Sequence, residues 1–182
     1  MGRQGHGAHV AFGERKQAQS DARFEAARRH PHYQEDGGND GHRDGELSTG
    51  VMARLGIGYK DLKAINPKII YCAVSGFGHT GPESTTAAYD GKIQAMSGIM
   101  SITGHPEMGP TRAGFAVCDA IGGMTAAFAV SAALYQRDQT GLGQMVDVAM
   151  LDATLSFLTP AVTEYTVAGV DVRQMGNQAV SR

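Results

Sequence analysis

Thr111-Arg112-Ala113-Gly114-Phe115-Ala116-Val117-Cys118-Asp119-Ala120-Ile121-Gly122-Gly123-Met124 joins two kinds of sequence. Ala113 to Cys118 is a short apolar run and reads as a buried strand. Asp119 ends it. Ala120 to Tyr135 is nearly uncharged and reads as a helix buried on most sides. One carboxylate therefore sits where a strand hands over to a helix, the place where open α/β sheets bind ligands. A helix N-terminus there would lower its pKa and keep it ionised. Taken alone, Asp119 is more commonly a helix N-cap.

Working outward, the chain after residue 46 alternates strand-like and helix-like segments. Gly50–Leu55 and Tyr59–Ile65 read as short helices, the second stopped by Asn66-Pro67. Lys68–Ser75 is a continuous apolar run, the pattern of a strand covered on both faces. Gly76-Phe77-Gly78-His79-Thr80-Gly81-Pro82 is a glycine-rich loop leaving it. That loop lacks the spacing of a phosphate-binding fingerprint and reads as a turn, with His79 on the surface. Tyr89–Met100 reads as a helix. Thr140-Gly141-Leu142-Gly143 closes the central helix, and Gln144–Val148 is a short strand. Leu151–Val167 reads as an amphipathic helix kinked by Pro160.

Residues 1–45 differ in kind. They hold five of the seven histidines and almost no Ile, Leu or Val. Ser20–Arg29 could form a short amphipathic helix, and His30 to His42 is loop-like. A histidine tract can bind metal. An unfolded tail, unable to bury enough surface to offset its ordering entropy, fits the composition better. No metal site is expected.

The remaining composition excludes several classes. The 182 residues suffice for one core, and a net charge of −2 gives no basic footprint for nucleic acid or an anionic membrane. Cys72 and Cys118 lie in apolar runs and read as buried thiols of a reduced cytoplasmic protein. No secretory signal is visible, and the weakly polar stretch Ala120–Tyr135 is too short to span a bilayer. Cys118 has no histidine at a spacing that would activate it. Asp147 and Asp152 flank a strand–helix junction and read as caps.

Several ordered motifs carry a resemblance: Gly50-Val51-Met52-Ala53-Arg54-Leu55-Gly56, Ile65-Asn66-Pro67-Lys68-Ile69-Ile70-Tyr71, Ser75 to Pro82, Ala88-Tyr89-Asp90, Gln94-Ala95-Met96-Ser97-Gly98, Cys118-Asp119, Arg137 to Gln144 and Val146 to Asp152. Together they resemble the class III CoA-transferases, of the formyl-CoA and carnitine CoA-transferase type, over residues 50–178. The resemblance implies an α/β fold, a partial Rossmann-like open sheet with flanking helices. It implies CoA transfer from an acyl-CoA thioester to a carboxylic acid, with acyl-CoA as substrate and no permanently bound cofactor. Asp119 falls at the catalytic aspartate, which forms a covalent aspartyl intermediate. Arg54 falls at a CoA-phosphate contact, Tyr89 at a contact near the thioester and Met150 at a CoA-lining position. The related α-methylacyl-CoA racemases carry a histidine where Tyr89 stands, and tyrosine is a poor base at neutral pH. That favours transferase over racemase. Full-length relatives are homodimers.

The resemblance stops near residue 50. Its preceding motif reads Glu-Asn-Phe-Arg-Pro-Gly, whereas this chain reads Glu46-Leu47-Ser48-Thr49-Gly50. DNA encoding the former, read two bases on, can encode Glu-Leu-Ser-Thr-Gly. Residues 1–49 are therefore expected to be a disordered or out-of-frame segment, and 50–182 a partial CoA-transferase large domain. A non-catalytic truncated remnant is the alternative expectation.

Overall fold

The computed structural model describes residues 10–12 and 50–178. The possible helix at Ser20–Arg29, the histidine tract and most of the 1–49 segment lie outside the described residues.

Gly50 adopts a left-handed conformation (φ 92°) and opens a one-turn helix, α1 (Val51–Arg54). Helix α2 (Tyr59–Ile65) begins with the Gly58 amide donating to the Asp61 side chain at 3.1 Å. That bond satisfies one of the orphan donors of a helix start. The helix stops at Asn66, which is extended ahead of Pro67. Strand β2 (Ile70–Ser75) follows, with Ile70, Tyr71, Cys72 and Ala73 all buried, as its continuous apolar run implies.

The sheet has three strands in the order β1-β2-β3, where β1 is Val10–Phe12 and β3 is Met145–Ala149. Strand β1 pairs antiparallel with β2, Val10 opposite Cys72 and Phe12 opposite Ile70, an element the tail's composition did not announce. Strands β2 and β3 run parallel. Gly143 donates to Pro67, Tyr71 to Gln144 and Leu151 to Gly76, so partners advance together along both segments. Gly143 is required for this approach, because a Cβ there would sit 1.9 Å from the Ile69 carbonyl oxygen. In β3, Val146 and Val148 are buried and Asp147 is exposed, the alternation of a strand with one wet face.

The described chain divides into two compact units, residues 10–12 and 50–75 with 126–147, and residues 76–125 with 148–178. The core of the first gathers Leu62, Ile69, Tyr71 and Ala73, with Tyr59 and Met145 against them. Met52 and Ile57 form a smaller cluster with Leu55.

In the second unit, α3 (Asp90–Met96) and α4 (Ile99–Ile102) divide at Gly98 (φ 83°), where a single helix from Tyr89 to Met100 was expected. A short 3₁₀ turn, Pro106–Met108, follows. Gln174 donates through Nε2 to the Thr103 and Gly109 carbonyls, both at 2.6 Å, and so clasps this turn.

Helix α5 (Val117–Thr140) starts earlier and ends later than its uncharged stretch suggested. Two further expectations fail here. The segment 111–116 is not a strand but an irregular loop. Nor is α5 buried on most sides: Met124, Phe128 and Tyr135 are all exposed. At 24 residues it is also long and apolar enough to cross a membrane by length and composition, where Ala120–Tyr135 alone was read as too short. A mostly buried core helix passes the same test, whereas 22% of this window is buried.

Past β3, the stretch expected to be one kinked helix is two, α6 (Met150–Phe157) and α7 (Thr159–Ala168), parted at Leu158. Pro160 lies in the first turn of α7, where its missing N–H breaks no helical bond.

Candidate active site

Asp119 is the third residue of α5, inside the first turn rather than capping it. Its side chain reaches solvent. Partial burial first, and the negative charge of Asp90 second, raise its pKa above the ordinary carboxylate value. The sequence led to the opposite expectation, a pKa lowered by the helix N-terminus. The dipole is real, but desolvation and a like charge both favour the protonated form and prevail here.

The cap of α5 comes from elsewhere in the chain. Asp90, at the start of α3, is 7% exposed. Its Oδ1 accepts the Cys118 amide at 2.9 Å, and its Oδ2 accepts the Gln94 Nε2 at 2.6 Å. Arg112 adds an ion pair at 3.3 Å from a largely exposed side chain. Gln94, fully buried, accepts the Ala113 amide with Oε1 at 2.9 Å and donates Nε2 to the Phe115 carbonyl at 3.2 Å. These bonds explain why 113–118 is no strand. Its Ala113 and Cys118 amides and its Phe115 carbonyl are taken by side chains of α3, leaving no ladder to form.

Tyr89 precedes α3 as its extended N-cap residue and is exposed. A Cβ at Gly91 would lie 3.3 Å from the Tyr89 ring and 3.4 Å from the Arg112 Cζ. Glycine at 91 therefore lets the ring and the guanidinium lie over the first turn of α3. Met150, at the start of α6, is 4% exposed, and its side chain belongs to the core. Asp119, Tyr89 and Met150 all lie in the second unit. Arg54 is exposed in the last turn of α1, in the first unit.

Cys118 is buried, and burial is the largest of the influences that raise its thiol pKa. A hydrogen bond with Thr154 acts in the opposite direction, while Asp90 and Asp119 add to the rise. It is a core thiol, not a nucleophile. Cys72 is likewise buried, with its pKa raised by burial and then by Asp147. Among the described residues, no group of three His, Cys, Asp or Glu side chains could hold a metal ion.

Asp90 and Gln94 escaped the sequence reading. Their spacing of four places them on one helix face. Nothing local says that the face points at an amide 28 residues later.

The profile of CoA-transferase family III matches residues 46–182. The chain is 45% identical over 130 residues to an acetyl-CoA:oxalate CoA-transferase of Acetobacter aceti, covering 71% of this chain and 33% of that protein. It is 41% identical over 126 residues to a succinate–glutarate CoA-transferase of Agrobacterium fabrum, covering 69% and 32%. Among solved structures, a CAIB/BAIF family protein from Brucella suis superposes with a TM-score of 0.70 at 40% identity, over 72% of this chain and 35% of that one. The chain spans about a third of the length of the curated relatives it matches.

Proposed function

The chain belongs to CoA-transferase family III, and from that premise we propose that it carries the nucleophile for moving CoA from an acyl-CoA to a carboxylic acid. The observation behind this reading is Asp119: a solvent-reaching carboxylate in the first turn of a long helix, at the position that the resemblance assigns to the family's catalytic aspartate.

The chemistry runs through two anhydrides. The Asp119 carboxylate attacks the thioester carbonyl, the C–S bond breaks and CoA leaves as thiolate. The thiolate attacks the aspartyl carbonyl of the mixed anhydride, freeing the donor's carboxylate and leaving an aspartyl-CoA thioester. An acceptor carboxylate attacks that thioester, expelling CoA thiolate again. The thiolate then attacks the acceptor's acyl carbon, giving the new acyl-CoA and returning Asp119. A carboxylate suits the task because its anhydride is reactive enough to exchange with a thiol.

Arg54 would meet the CoA phosphates, a task fitted to an exposed guanidinium. Tyr89 would contact CoA near the thioester, and Met150 would back the site from the core. The names of the relatives favour acetyl-CoA or succinyl-CoA as donor and a dicarboxylic acid as acceptor. The two buried free thiols accord with a reducing cytoplasm. A homodimeric parent enzyme completes the reading.

Incubation with acetyl-CoA or succinyl-CoA followed by intact-mass and peptide mass spectrometry tests it. A covalent acyl or CoA adduct on the peptide holding Asp119, absent in Asp119→Asn, is the expected result. Folded protein that forms no adduct would identify a non-catalytic domain. Exchange of the α-proton into deuterated solvent without CoA transfer would identify a racemase.

A further inference from the structure

We propose that Asp90 is the positioning residue of this site: its buried carboxylate caps α5 from a neighbouring helix and, through the Cys118 amide, fixes the turn that carries Asp119. The inference rests on Asp119 being the nucleophile.

A helix start is ordinarily capped by a Ser, Thr, Asp or Asn just before it. Helix α5 has Phe115 and Ala116 there. Its Cys118 amide is satisfied instead by Asp90, reached from 28 residues away. Burying a carboxylate is costly unless donors surround it. Asp90 has three: the Cys118 amide, the Gln94 side-chain amide and the Arg112 guanidinium. Gln94 holds the loop before α5 at Ala113 and Phe115, so the whole approach to Asp119 hangs from one face of α3.

A neutral cap would also hold the backbone, through a weaker bond. A charged one also acts on its neighbour. Asp90 is the second cause, after burial, of the raised pKa of Asp119. Among the described residues, Arg112 from the loop pairs with Asp90, and the Cys118 thiol at the start of α5 feels the charge of both carboxylates. A more basic carboxylate is the stronger nucleophile while ionised. Asp90 thus orients the reacting group and tunes it.

The test uses the full chain labelled with ¹³C at aspartate side chains and ¹⁵N at amides, with the Asp119 signal assigned through Asp119→Asn. In Asp90→Asn, the Asp119 carboxyl is expected to titrate at lower pH than in the parent. The Cys118 amide proton should move upfield, and adduct formation from acetyl-CoA at pH 7 should fall at least tenfold. An unchanged Asp119 midpoint together with an unmoved Cys118 amide in the folded variant overturns the proposal. Should Asp90→Asn not fold, the parent decides: a scalar coupling across the hydrogen bond must link the Cys118 amide nitrogen to the Asp90 carboxyl carbon, and its absence overturns the proposal. Absence of any adduct in the parent would count against Asp119 as nucleophile, whereas the two NMR readouts still judge Asp90.

Discussion

Asp119 binds its proton more tightly in the folded chain than in the unfolded one, because burial and Asp90 both penalise its charge. The sign follows from linkage. Across the window above the unfolded value of 3.8, the native state holds a proton that the unfolded state has lost, so stability falls as pH rises. Asp119→Asn removes that loss. Thermal melts should therefore show the variant gaining on the parent as pH climbs from about 3 to about 7; a difference flat in pH would contradict the assignment. Tyr71 obeys the same logic at the alkaline end. Burial, then the charge of Asp61, raise its phenol from 10.0 to about 12. Stability should fall between those values, and tyrosinate absorbance should show one phenol ionising last, near pH 12. Tyr71→Phe should erase that final step. At this scale the sequence displayed Asp119, since a lone carboxylate in an apolar run stands out. It concealed Asp90 and Gln94, whose partners are backbone atoms that only the fold brings near.

Helices and strands with strong local signals were legible. Helix α2 falls where its stop at Asn66-Pro67 put it, and β2 where its apolar run put it. The errors share a cause. The run Ala113–Cys118 is apolar enough for a strand, but three of its backbone groups bond to side chains on α3. The helices α3 and α4 divide because Gly98 takes a left-handed conformation that periodicity cannot reveal. Two substitutions read these elements directly. Gly143→Ala places a methyl group against the Ile69 carbonyl, and backbone cannot yield as a side chain does. Chemical denaturation should show a loss of about 2 kcal/mol, the scale of an overpacked site. Gln94→Met keeps the volume but leaves the Ala113 amide and Phe115 carbonyl without their side-chain partner. Amide hydrogen exchange in 111–118 should accelerate at least tenfold, while α2 exchanges as before.

Among the described residues, α5 leaves a row of large apolar side chains exposed. Met124, Phe128 and Tyr135 are 67%, 77% and 72% exposed. Their spacings of four and seven place them on one face of α5. Covering one such side chain gains about 2 kcal/mol, so the row favours association or dye binding. The chain should bind a hydrophobic dye and self-associate in sedimentation. Replacing all three by serine should lower dye binding severalfold with helix content by circular dichroism retained. The burial expected of this helix could not be judged from its composition, because an uncharged helix looks the same whether or not something lies over it. The Gln174 clasp has a consequence of another kind, in the timing of synthesis. Thr103 and Gly109 leave the ribosome 71 and 65 residues before the side chain that closes them. At roughly 5–20 residues per second, that is a wait of about 3–14 seconds. Through that interval the nascent turn lacks the two bonds that Gln174 later supplies.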